Sequence, residues 1–265
     1  MRDVASDHDD RGITIDGVGI RDLHLPVRIR QKAGGAARVV GVFDATVELP
    51  HYERGTHMSR TVAILLNWSK REVSLHEMEG ILREYQSAFS ARAAHLSVRF
   101  KYFLDKQTPV SKLTCQLDYD CRFDATIVDE DFAFALEVEV PVLTVCPCSL
   151  EIAQVGAHSQ RGIVRVRIGA TAGVIIWLED LIPLVEQQGS SEVCPILKRE
   201  DEKYLTERAF ANPKFVEDVV RDTVIAVRGL AGVEWYQVSC ETFESIHNHN
   251  AYAYAQGGGG AWSLP

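Results

Sequence analysis

Phe43, Ala45, Val47 and Leu49 alternate with Asp44, Thr46 and Glu48. That period of two puts one face of a β-strand in a core and leaves the other wet. The same alternation runs through Leu96, Val98, Phe100 and Tyr102, and through Phe134, Leu136, Val138, Val140 and Val142 against Glu137 and Glu139. It returns in Val164, Val166 and Ile168 against Arg165 and Arg167. One-sided strands of this kind favour antiparallel sheet with one covered face. Two stretches carry the helical period instead. Ser74 and Glu77 form a capping-box pattern ahead of Leu75, Met78, Ile81, Tyr85 and Phe89. Asn212-Pro213 suits an N-cap followed by the first helical residue, with Val216, Val219, Val220, Val224 and Val227 continuing to Gly229.

A short internal echo crosses this pattern. Gly55-Thr56-His57-Met58-Ser59-Arg60 and Gly156-Ala157-His158-Ser159-Gln160-Arg161 share G-x-H-x-x-R. Each follows an alternating strand and a proline-marked turn. Each is expected to precede another apolar strand, then a helix, then a strand. The shared order predicts duplication. The expected fold is α+β, two β-β-α-α-β-β modules with antiparallel sheets and helices on one face. The expected divisions are a disordered arm at 1–11, a first module at 12–128, a second at 129–254 and a flexible, glycine-rich tail at 255–265.

Composition narrows the class. Of 265 residues 46% are hydrophobic and 25% charged, ordinary for a globular chain. Formal charge is 28 − 37 = −9, which opposes generic nucleic-acid or anionic-membrane binding. No apolar run approaches the roughly 18 residues of a membrane span, and the acidic N-terminus lacks the apolar core of a targeting peptide. A cytoplasmic protein is expected. Six scattered cysteines are too few for a disulfide scaffold.

The second half concentrates groups that bind metals: Cys146 and Cys148 just after a strand, His158 in the echoed turn, Glu202, and Glu244, His247 and His249 in one polar segment. Thiolate, imidazole and carboxylate together suit Zn²⁺ or a similar first-row ion. The local spacing matches no standard ligand pattern, so the fold must assemble any site. Each group alone also reads as something plainer: buried thiols, a hydrogen-bonding turn histidine, a surface carboxylate. Glu244 and His247 share a face only if their segment is helical. Glu217 falls on the face of Val220 and Val224, either a boundary residue or a semi-buried anchor for a donor-rich ligand. Arg161, Lys198, Arg199, Lys203 and Lys214 flank the same turns, a cluster that reads as a solvated face or as a polyphosphate cradle.

Taken in order, Val18-Gly19-Ile20-Arg21-Asp22-Leu23, Arg54 to Arg60, Pro109-Val110-Ser111, Cys146-Pro147-Cys148-Ser149 and Gly156 to Arg161 resemble the type IB GTP cyclohydrolases. So do Leu197-Lys198-Arg199 with Asp201-Glu202-Lys203-Tyr204, Asn212 to Asp218, and Glu244 to His249. The resemblance implies the tunnelling fold in two tandem modules and a homotetramer with interfacial sites. It also implies conversion of GTP and water to 7,8-dihydroneopterin triphosphate and formate, an entry to folate-type pterins. Carried over by position, Cys146, His158 and Glu202 are metal ligands for Zn²⁺ or Mn²⁺, and Glu244 and His247 are proton-transfer or alternative ligand groups. Glu217 meets the guanine edge, with Arg161, Lys198 and Lys203 toward the triphosphate. The chain departs at Leu150 (usually lysine), Ser159, Glu200 and Thr242, none of them a proposed ligand. The rival readings are a tunnelling-fold nitrile reductase with a cysteine nucleophile and NADPH, and a purine- or metal-binding protein without turnover.

Overall fold

The computed structural model describes residues 4–5, 7–171 and 173–259. The chain runs β1 (Ile15–Arg30), β2 (Ala36–Leu49), α1 (Met58–Trp68), β3 (Glu72–Val73), α2 (Leu75–Phe89), β4 (Ala93–Gln107) and β5 (Thr114–Val128). It continues with β6 (Asp131–Val145), α3 (Pro147–Ile152), β7 (Ser159–Ala170), α4 (Leu178–Glu186), β8 (Ser191–Glu192), α5 (Arg199–Ala211), α6 (Val216–Arg228), β9 (Val233–Thr242) and β10 (Ala251–Gly258). The order is β-β-α-α-β-β twice, the first pass with the short β3 added and the second with α3, β8 and α5. The fold is α+β, as the alternation predicts. The turn at Asp129 (φ 53°) falls where the two modules were expected to join. The compact units divide differently, as Met1–Lys101 with Cys121–Leu136 and Tyr102–Asp120 with Glu137–Pro265. The physical reason is strand length: β4, β5 and β6 are 15 residues each, and each contributes to both units.

In the first unit the strands pair in the order β4-β2-β1-β3. Phe43, Ala45, Val47 and Leu49 are buried beside Leu25, Val27 and Ile29 of β1 and Leu96, Val98 and Phe100 of β4. The helices cover that face with Ile64, Leu65, Met78, Ile81, Leu82 and Tyr85. Each such side chain contributes roughly 1.5–3 kcal/mol on leaving water. A bulge interrupts β1 ahead of its buried run, Leu25, Val27 and Ile29. Ile20 pairs with Ala45 and Leu23 with Phe43, one extra residue on β1, so the inward parity changes there. Asp22 takes the left-handed turn at the bulge (φ 55°), its N–H donating to Asp44 Oδ1 at 2.8 Å.

In the second unit the order is β10-β9-β7-β6, with β8 on β6. Val164 pairs with Cys240 and Val166 with Val238 across an antiparallel ladder. Leu181, Ile182 and Val185 of α4 and Val219, Val220, Thr223 and Val227 of α6 are buried in this unit, and α6 packs on β9 and β10.

Several local expectations need correction. Val62 to Leu66 form the interior of α1, not a strand; Ile64 and Leu65 are buried and Leu66 is exposed, a helical rather than a twofold pattern. The two G-x-H-x-x-R segments are therefore not equivalent: the first follows β2 and opens a helix, the second lies between β6 and β7 and opens a strand. The valine-rich helix begins at Val216, not at Pro213. Asn212 caps α5, donating from Nδ2 to Gly189 O at 3.1 Å, and the Asp218 carboxylate caps the Phe215 N–H at 3.1 Å. The segment from 255 enters a strand, since Ala255 to Gly258 pair with Val238 to Trp235; residues 260–265 lie outside the described ones. In the arm, Asp9 N–H donates to Tyr52 O and Gly55 N–H to Ala5 O, so its described residues are tied to the loop before α1; residues 1–3 and 6 lie outside the description. The Ser74–Glu77 pattern is realised differently from a capping box, with the Ser74 hydroxyl donating directly to the Glu77 carboxylate.

Candidate active site

Where β6 ends, Val145 hands the chain to Cys146, which takes an extended conformation (φ −70°, ψ 117°) as N-cap of α3 with Pro147 in the first turn. Its Sγ accepts the Ser149 N–H at 3.4 Å. The chain then turns back through Gly156, whose φ of 74° favours a residue without Cβ. On its return, His158 O accepts the Cys146 N–H at 3.1 Å and Ser149 Oγ accepts the His158 N–H at 3.3 Å. Backbone and hydroxyl thus fasten the cysteine and histidine segments together before β7 begins.

A third segment arrives from β9. Phe243 N–H donates to Arg161 O at 2.9 Å, extending the β7–β9 pairing by one step. This sets Glu244 beside His158, with Glu244 Oε2 at 3.6 Å from His158 Nδ1. Thr242 Oγ1 donates to Glu244 Oε1 at 2.7 Å and orients the carboxylate. Both side chains are 11% exposed. Beyond them the loop carries His247, its ring perpendicular to that of His158 at 6.3 Å, and His249 stacked on His247 at 5.2 Å. The segment is not helical; Glu244 and His247 meet His158 through the loop's own path. Lys214 N–H donates to Val145 O at 3.1 Å, so the linker into α6 starts beside the cysteine, one turn before Glu217.

Other groups of the notional set stand apart. Glu202 is exposed on the first turn of α5. Its neighbour Asp201 is fully buried and anchors that turn, accepting the N–H groups of Val110 and Ser111 at 2.9 Å and of Lys198 at 3.1 Å. Burial alone would raise the Asp201 carboxyl's pKa, but the Ser111 hydroxyl and these amides hold it well below the usual range. Glu217 is exposed rather than semi-buried: Val220 on its face is buried, but the carboxylate projects past the core. Arg161, Lys198 and Lys203 are also exposed. Lys214 is neutralised by Asp222 at 2.7 Å. Cys148 is exposed, and burial pushes the Cys240 thiol up to about 12 and the Cys194 thiol upward, which keeps both protonated at neutral pH.

For a divalent ion the donor types fit. Cys146 and His158 are fastened side by side, and the polar contacts of His158 fall on Nδ1, which leaves Nε2 as its candidate ligand atom. Among the described residues, however, no three His, Cys, Asp or Glu side chains form a ready metal-holding group. Gln160, Thr144, Ser149 and Thr242 support the site and were not singled out by residue type. The usable signal was position: Gln160 follows His158 by two residues at the start of a strand, which puts both on one face.

Residues 1–253 match the family described as type I GTP cyclohydrolase folE2. The GTP cyclohydrolase FolE2 of Syntrophotalea carbinolica is 43% identical over 256 residues, covering 97% of this chain and 95% of that protein. The GTP cyclohydrolase FolE2 of Thiobacillus denitrificans is 44% identical over 253 residues, covering 96% and 93%. Among solved structures the uricase of Arthrobacter globiformis superposes with a TM-score of 0.57 at 8% identity, covering 94% of this chain and 96% of that one. At that identity the likeness shows a shared fold, the tandem tunnelling architecture, and nothing of the chemistry. No described helix is long and apolar enough to cross a membrane. With the family matched across nearly the whole length and relatives above 40% identity, this chain belongs to the type I GTP cyclohydrolase folE2 family of enzymes.

Proposed function

We propose that the chain is a metal-dependent cyclohydrolase that takes GTP and water to 7,8-dihydroneopterin triphosphate and formate, at the head of folate-type pterin synthesis in the cytoplasm. The observation that carries this reading is the convergence of Cys146, His158, Glu244 and His247 from three segments at one end of the β7–β9 ladder. Cys146 and His158 would hold Zn²⁺ or Mn²⁺, with Glu202, exposed on α5, as a third ligand once that turn moves onto the ion. When bound, such an ion supplies Lewis acidity that makes hydroxide available near neutral pH.

The rest of the work falls to side chains. Opening the imidazole ring, releasing formate and closing the new ring all need protons taken and returned. Glu244, held by Thr242 and facing His158, and His247, at the solvent edge, are the groups placed to move them. Glu217 accepts from the guanine N–H edge, a two-donor match for a carboxylate. Arg161, Lys198 and Lys203 supply positive charge for the triphosphate. The exposure of Glu217 and these cations in one chain accords with a site completed by assembly, as a homotetramer.

The test is turnover. Metal-stripped protein is given GTP with Zn²⁺ or Mn²⁺, and formate and the fluorescence of the oxidised pterin are followed. Metal-dependent product that vanishes in Cys146→Ala supports the proposal. His247→Ala is expected to lower kcat by about 10²–10⁴-fold while GTP still binds. GTP binding without formate or pterin under either metal would overturn it.

A further inference from the structure

We propose that Gln160 is a positioning residue that locks His158 as the Nδ1–H tautomer and so presents Nε2, with its lone pair, to the site. The inference rests on the functional reading above only for what Nε2 then does.

The geometry forms a closed chain of donors and acceptors. His158 Nδ1 lies 2.8 Å from Gln160 Oε1. The other end of that amide, Nε2, donates to Thr144 Oγ1 at 3.0 Å, and Thr144 Oγ1 in turn donates to Gln160 O at 3.3 Å. A hydroxyl has one proton. With Thr144's proton committed to a backbone carbonyl, its oxygen can only accept from Gln160. That fixes which way the amide points, and the carbonyl end faces the ring. An amide carbonyl cannot donate, so the ring nitrogen opposite must carry the proton. The second group facing Nδ1, Glu244 Oε2 at 3.6 Å, is also an acceptor and asks for the same tautomer. Thr144 is 1% exposed and Gln160 9%, so water does not compete readily for these positions.

The backbone makes this possible. Thr144 ends the inward run of β6, and His158 and Gln160 sit two residues apart where β7 begins, so the two side chains share a face. Partners of this kind on the remote nitrogen of a ligating histidine set ring orientation and basicity, and losing one typically costs about 10–100-fold in metal affinity.

The test uses full-length metal-free protein with ¹⁵N-labelled histidine, reading the His158 ring nitrogens by NMR, and then Zn²⁺ affinity by competition with a chromogenic chelator. Wild type should show Nδ1 protonated and Nε2 bare. Gln160→Leu, which keeps bulk and removes the acceptor, should raise the Nε2–H population and weaken Zn²⁺ binding by about 10–100-fold. Gln160→Glu, which restores an acceptor, should recover the wild-type tautomer. Thr144→Val frees the amide to turn its NH₂ toward the ring and should shift the tautomer without touching His158. A merely structural role would lower stability in these variants and leave the ring signals alone. Wild type found as the Nε2–H tautomer, or Gln160→Leu with unchanged ring signals and affinity, would overturn the proposal. The expected tautomer in a protein that forms no pterin would sink the cyclohydrolase reading and leave the assignment of Gln160 standing.

Discussion

Away from the site, the second unit buries an ion pair whose removal can be worked through in advance. Lys106 Nζ donates to Glu186 Oε1 at 2.6 Å and to Val193 O at 3.2 Å, and Tyr119 OH donates to the same carboxylate oxygen at 2.7 Å. The charged side chains are 13% and 10% exposed, so solvent and salt screen them little. At 2.6 Å and an effective dielectric of about 20, the Coulomb attraction is about 6 kcal/mol. Desolvating both ions costs several kcal/mol each, so the pair is near balance as a unit and strongly unfavourable when split. Glu186→Ala leaves the Lys106 ammonium with one carbonyl and takes the carboxylate acceptor from the Tyr119 hydroxyl, and is expected to cost about 3–5 kcal/mol. Lys106→Met leaves the carboxylate with only the Tyr119 hydroxyl and should cost nearly as much. Lys106→Met with Glu186→Leu removes both charges and should recover most of the loss, ending within about 1–2 kcal/mol of wild type, since the Tyr119 hydroxyl still loses its bond to the carboxylate. Urea denaturation followed by circular dichroism and tryptophan fluorescence gives the three values and the coupling energy of the cycle. Single variants each below about 1 kcal/mol, or a double variant whose loss equals the sum of the singles, would refute the reasoning.

Three further outcomes follow from other sites. The Asp201 carboxyl titrates below its unfolded value, so its contribution to stability is whole above about pH 4 and is lost as pH falls through the depressed native value. Asp201→Asn should therefore lower the urea midpoint at pH 7 and flatten its acid dependence, and an unchanged acid limb would count against the anchoring role. A Cβ on Gly19 would run into the Ala45 carbonyl oxygen of the paired strand, so Gly19→Ala should cost about 1–3 kcal/mol through strain; a midpoint equal to wild type would show that the strands can part there. In native protein iodoacetamide should label exposed Cys148 well before Cys240, whose thiol is buried and pushed up to about 12, as peptide mass spectrometry would read; equal rates would contradict the burial of β9.

The strands were legible because one face of each is wet, which leaves the twofold period intact in Phe43 to Leu49 and in Val164 to Ile168. Where burial is not one-sided the letters mislead. Val62 to Leu66 are five apolar residues in a row, too short for period to separate strand from helix. Asn212-Pro213 carries a strong start signal, yet Asn212 closes α5 through its backbone N–H to Ala209 O, its side chain ties to Gly189 O and Ser190 O, and the next helix is capped from within by Asp218. Among site residues, the pairing of Cys146 with His158 depends on backbone hydrogen bonds that no residue type announces. Of the two readings open for Glu217, boundary residue or semi-buried anchor, its exposure matches the first, because its helical face is apolar only as far as Val220. Gln160 passed unnoticed because an amide suggests no chemistry until its two ends are seen to be held differently.

The two G-x-H-x-x-R strings have a use as a warning about local similarity. After His57 the chain is helical, and residues two apart in a helix point about 200° away from one another; after His158 it is a strand, and they point together. Ser59 therefore cannot stand to His57 as Gln160 stands to His158, whatever residue is placed there. Grafting the second string's letters into the first would copy the spelling without the relay. A variant with Gln introduced at 59 should leave the His57 ring unaffected, and any attempt to build a second working site into this chain has to begin by moving a strand, not by editing a motif.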